Sequence, residues 1–166
     1  MGETAATIQP CELSPRSREG LADRLRGLLG RPAPRAQVTA PPTVHLGQTF
    51  EATWRFAWGA REVTNVAVSL VGAEVARQRI SARTGISIVT ETRPFLTLPL
   101  DRQMPERGAS RAEGRGAVAL PMRALPSLTG RLHEIAWSIV LEAAFQATPI
   151  WRGEFSVEVL PPVHHG

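Results

Sequence analysis

The sequence predicts an all-β fold, a sandwich or barrel, with one short helix confined to an N-terminal tail. Three observations carry this. Apolar and polar residues alternate strictly in several runs, the period of a strand with one buried face. Gly and Pro, 14 of each in 166 residues, fall between those runs as turn signals. Helical spacing occurs only once, at Leu21, Leu25, Leu28 and Leu29.

The elements follow in order. Residues 1–12 read as a loose tail. Ser14-Pro15 predicts a helix start, with Ser as N-cap and Pro at the first helical position. The four Leu place one apolar face on a helix over about residues 15–29, and Gly30 and Pro32 end it. Residues 31–35 form a stiff Pro-containing linker, which closes a tail of residues 1–35. A strand over 36–40 stops at Pro41-Pro42. Phe50, Ala52, Trp54, Phe56 and Trp58 then share one face of a strong strand. Residues 63–71 form the next, broken by Gly72, followed by extended runs at 74–80 and 85–92. Pro94 limits the second of these, and 95–100 resumes. The polar stretch 101–115 has no apolar period and reads as a mobile hairpin loop. A short strand at 117–120 leads to Pro121. Residues 135–145 alternate with Trp137 at their centre, placing Glu134, Ser138, Glu142 and Gln146 on the opposite face. Phe155, Val157 and Val159 mark the last strand. The sandwich so defined covers 36–161, and 162–166 is a short tail.

Charge excludes little by itself. The formal net charge is +4, and all 19 basic residues are Arg. Six of these in the first 35 residues meet four acids, and the remaining 13 meet 11. Neither part is a polyanion surface, so no nucleic-acid partner is expected. Cys11 is the single cysteine, which excludes an intrachain disulfide and a cysteine-type zinc site. No run of about 18 apolar residues is present, and the N-terminus has no signal-peptide pattern, so a cytoplasmic protein is expected.

The motifs that could carry chemistry fail on spacing. His133-Glu134 lacks the second His four residues on that a zincin helix needs, and the local period is two. His164-His165 lies in a terminal tail with no rigid third ligand. Ser127 sits in a Pro-Ser turn and not in a nucleophile elbow. The only two Asp, Asp23 and Asp101, have no acid at ligand spacing, and no phosphate-binding Gly-Lys loop exists. Trp54 and Trp58 could stack bases, but both fall on the apolar face of their strand, where core packing is the reading. No catalytic residue, metal site or cofactor is therefore expected.

Several segments together resemble an arrestin-like domain: GQTFEATWRF, VTNVAVSLVGAEVA, TGISIVTETRPFLTLPL, GAVALPMRALPSLTGRLHEIAWSIVLEAAF and FSVEVLP. The pattern is a strand ending in Pro121, a Pro126-Ser127 turn with Gly130 nearby, the aromatic strand 135–141, and the final strand 155–159. It is similar to bacterial relatives of the sporulation-control type. The resemblance spans about residues 36–160. It implies an immunoglobulin-like, two-sheet antiparallel sandwich that binds other proteins without catalysis. Arrestins pair two such sandwiches, and this chain has room for one. The charge network and receptor elements of the animal proteins have no matching residues here.

The expected function is thus a non-enzymatic scaffold or adaptor for a protein partner. The expected surfaces are the Leu face (Leu21, Leu25, Leu28, Leu29) and the Arg residues of the polar stretch (Arg102, Arg107, Arg111). Two alternatives stand beside it. One is a peripheral subunit held weakly to a membrane surface by the basic Leu helix. The other is a ligand-binding or structural sandwich within a larger assembly.

Overall fold

A computed structural model describes residues 9–16, 33–59, 61–83, 85–146 and 148–163. The four expected Leu residues of the helix lie outside them. Within the described residues, ten strands form two packed sheets: β1 (Cys11–Glu12), β2 (Arg35–Ala40), β3 (Thr43–His45), β4 (Thr49–Ala57), β5 (Val63–Ala82), β6 (Gly85–Gln103), β7 (Arg111–Ala119), β8 (Leu128–Thr129), β9 (His133–Phe145) and β10 (Thr148–Leu160). One sheet has the order β1-β2-β4-β7. The other has the order β3-β10-β9-β5-β6, with β8 added against β9.

The core lies between the sheets, built by period-two alternation. In β4 the inward residues Phe50, Ala52, Trp54 and Phe56 are all buried, while Glu51, Thr53, Arg55 and Ala57 are exposed. From the facing sheet, Val66, Val68 and Leu70 of β5 meet Trp137, Ile139 and Leu141 of β9. Trp137 is only 1% exposed, and its ring donates Nε1–H to Leu125 O at 2.9 Å. Pro41-Pro42 ends β2 in the first sheet and sends the chain across, so that β3 pairs with β10 in the second. That pair is parallel, the exception in an otherwise antiparallel sandwich.

One edge of the sandwich is held shut by side chains. Trp54 Nε1 donates to Asp101 Oδ2 at 2.9 Å, tying β4 to β6 across the sheets. Gln103 Nε2 donates to the same Oδ2 at 3.2 Å and to Glu113 O at 3.0 Å, tying β6 to β7.

Five expectations need correction. Residues 11–16 are not loose tail or helix start. Cys11–Glu12 pairs with β2, Leu13 is buried and donates its N–H to Val38 O, and Arg16 N–H reaches Glu154 O on β10. Pro15 bridges Phe155 at a sheet edge, where its missing N–H costs no ladder bond. Secondly, Gly72 does not end a strand. β5 runs through it, because a side chain there would meet the rings of Phe95 and Trp137, so glycine is what lets them pack. Thirdly, β6 carries Pro94 and Pro99 in its interior. It is an edge strand, and register shifts against β5 fall beside both prolines. Finally, the 101–115 segment is mostly strand. The connection proper is 104–110, and Ser138, expected outward and polar, is buried at 5% exposure.

Candidate functional site

A cleft of about 1360 Å³ lies at the end of the sandwich where β2 and β7 begin and β4 finishes. Cross-strand register explains its two surfaces. Ala36, Phe56 and Ala112 are directly opposed across β2, β4 and β7, and Phe56 of that row points into the core. Arg35, Ala57 and Arg111 form the next row, on the outer face. The opposite wall is Trp151 to Phe155 of β10.

The floor is aromatic. The rings of Phe56 and Trp151 lie 4.7 Å apart, centroid to centroid, tilted by 36°. Gly153 makes that placement possible: a Cβ there would sit 2.6 Å from the edge of the Trp151 ring. The indole therefore lies along its own strand, over the glycine backbone, and faces the cleft. Beyond it, Arg61 stacks over Phe145 at 5.6 Å and closes a smaller pocket of about 180 Å³ shared with Trp151 and Arg152.

The rim is basic. Arg16, Arg35, Arg55, Arg111 and Arg152 line the cleft against Glu12, Glu113 and Glu154. Arg152 is engaged with Glu142 at 2.6 Å and Glu154 at 3.1 Å, Arg55 with Glu113 at 3.5 Å, and Arg16 with Glu134 at 2.7 Å. Arg35 and Arg111 have no ion-pair partner among the described residues. Both line the cleft from the outer-face row of the first sheet, at its rim, beside the aromatic floor.

Of the three Arg expected from sequence, Arg111 lies on this cleft. Arg102 donates Nε–H to Asn65 Oδ1 at 2.9 Å, and Arg107 lies 3.5 Å from Glu62, both elsewhere on the surface. The sequence reading missed Arg35, Phe56, Trp151 and Gly153 as a group. The available signal was Trp151-Arg-Gly153, since a glycine inside an alternating strand marks a close approach.

The rejected chemical motifs have structural roles. His133 Nε2 lies 3.1 Å from Glu74 on the neighbouring strand. Glu134 receives Arg16 and Arg77, at 2.7 and 2.8 Å. Ser127 is tied to β10 through both its N–H and its Oγ, at Val159. Among the described residues no group of three or more His, Cys, Asp or Glu is placed to hold a metal ion. No helix among them is long and apolar enough to cross a membrane.

No protein-family model and no curated protein matches the chain. Solved structures do. Spo0M, a sporulation control protein from Bacillus subtilis, aligns over 80% of this chain with a TM-score of 0.50 and 12% identity. The fold is therefore the arrestin-like sandwich of that protein. The alignment covers 51% of Spo0M, so this chain spans about half its length. A superoxide reductase (neelaredoxin) from Ignicoccus hospitalis is also similar, with a TM-score of 0.38 and 15% identity over 78% of this chain and 81% of that one.

Proposed function

We propose that this protein is a non-enzymatic scaffold or adaptor that binds an acidic segment of a partner protein in the end cleft. The observation that carries this is a pair of guanidiniums with no ion-pair partner among the described residues, Arg35 and Arg111, at the rim of a cleft floored by Phe56 and Trp151. Arg favours planar, bidentate recognition of carboxylates, and aromatic rings supply apolar area at low entropic cost. An acidic chain segment with an apolar residue satisfies both surfaces. The arrestin-like fold is compatible with a regulatory or scaffold role.

The test is affinity capture with the full chain, comparing wild type with Arg35→Glu/Arg111→Glu and with a variant shortened in the 104–110 loop. Partners that bind the wild type at low salt should be lost from the charge-reversed protein, should fall away above about 0.3 M salt, and should survive loop shortening. Capture unchanged by charge reversal would rule the cleft out, and loss on loop shortening alone would move the site to the loop.

A further inference from the structure

We propose that the distal half of the β5–β6 hairpin is an arm through which two copies of this chain associate, pairing β6 with β6 in antiparallel fashion about Ile88.

The arm is defined by where pairing stops. β9 accompanies β5 only as far as Ala76, opposite His133. Beyond it, β5 and β6 continue for six more pairs, from Arg77↔Thr90 to Ala82↔Gly85, with no further strand beside them among the described residues. This two-stranded ribbon projects about 20 Å from the sandwich body. Ribbons of that kind are marginal in water unless further strands cover them.

Its surface is apolar where a surface strand should be polar. Ile86 and Ile88 are 66% and 65% exposed, and Ile80 and Val89 are 46% exposed each. Leu132, whose carbonyl accepts from Arg77 N–H at the arm's base, is exposed too.

The edge of β6 is guarded everywhere except here. Next to the body it carries Pro94, Pro99 and a register shift beside each, the devices that blunt an edge strand. Between Gly85 and Thr90 there is no proline, no charge and no register shift. The sequence Ile-Ser-Ile-Val-Thr is β-branched at four of five positions.

Charge selects a second copy as the occupant. The outer edge of β5 is engaged at the arm's base, where Arg77 donates to Leu132 O and pairs with Glu134, and beyond it carries Arg79, which would oppose its own copy on pairing about that residue. β6 pairing about Ile88 sets Ile86 against Thr90 and Ser87 against Val89, with no charge opposed. Glu91 of one copy then faces the uncharged Gly85 of the other, and does so twice by symmetry. Glu91 already holds Arg93 at 2.8 Å, so its charge is matched within its own copy. A lipid surface fits less well, because hydrocarbon cannot satisfy the open N–H and C=O groups of a ribbon edge.

The arm shares no residue with the end cleft, so its test is independent of the function proposed above. Sedimentation of the full chain should show a concentration-dependent dimer, and Ile88→Lys should weaken it at least about tenfold without shifting thermal unfolding of the sandwich. In a Cys11→Ser background, Ile88→Cys should cross-link the dimer on mild oxidation, and Gln78→Cys, on the β5 side, should not. The proposal is overturned by a monomer at all concentrations to about 100 μM, by a dimer indifferent to Ile88→Lys, by cross-linking through Gln78→Cys in place of Ile88→Cys, or by a monomer that floats with anionic vesicles through the arm.

Discussion

The indole N–H groups separate the buried tryptophans of this core. Trp54 and Trp137 donate to Asp101 and Leu125, whereas Trp58 Nε1 is buried with no partner among the described residues. A buried donor left unpaired costs free energy that a phenyl ring does not. Trp58→Phe should therefore be tolerated better than Trp137→Phe, by about 1–2 kcal/mol in denaturant unfolding. Equal losses would show that Trp58 finds a partner in solution. Trp137→Ala, which opens the centre of the core, should cost about 3–5 kcal/mol. Gly153 tests the cleft at the same scale. Gly153→Val pushes the Trp151 ring off its own backbone and should weaken capture of an acidic partner about tenfold or more while leaving the fold intact by circular dichroism. Retained capture would remove Trp151 from the site. The period of two put Trp54, Trp58 and Trp137 in the core from sequence alone. Which of them hydrogen-bonds depended on Asp101 and Leu125, whose positions the pattern does not encode.

Among the elements, the N-terminal segment and the β5–β6 hairpin departed furthest from the sequence reading, for opposite reasons. Residues 11–16 bind both sheets, pairing first with β2 and then with β10. Leu13 is buried between them. Ser14-Pro15 has the composition of a helix start, but the open edge of β10 offers those residues backbone partners that a local rule does not weigh. Deleting residues 1–16 should thus lower the unfolding free energy by about 2–4 kcal/mol, whereas deleting residues 1–8 should change it by less than about 0.5 kcal/mol. Both deletions being neutral would mean that the segment is not seated in solution. In the hairpin, Gly72 and Pro94 look like strand breaks. They persist inside strands because Phe95 and Trp137 pack over Gly72 and because β6 is an edge. Hydrogen exchange should grade this element. Amides of Arg77 to Ala82 and Gly85 to Thr90 should exchange orders of magnitude faster in the Ile88→Lys protein than those of β9. Protection of the arm equal to that of β9 in that variant would mean that the ribbon is stable without a partner.

For the whole molecule, the two candidate surfaces lie on different elements, a basic aromatic cleft at one end and an apolar arm carried by β5 and β6. A chain with both could present two clefts on one dimer, which would raise the effective affinity for a partner with repeated acidic segments. The sequence by itself determined the all-β class, the inward faces of β4, β9 and β10 and the strand-ending role of Pro41-Pro42. These are local matters of side-chain period and steric exclusion, and a linear string carries them. Only the tertiary structure decided that Arg111 lies on one cleft with Arg35, Phe56 and Trp151, that Arg102 and Arg107 do not, and that no strand among the described residues covers the Gly85–Thr90 edge. Those are facts of register and of which strands run out of neighbours. Registers are set by the summed packing of two sheets, so residues more than a hundred positions apart become a site without any mark in the sequence between them.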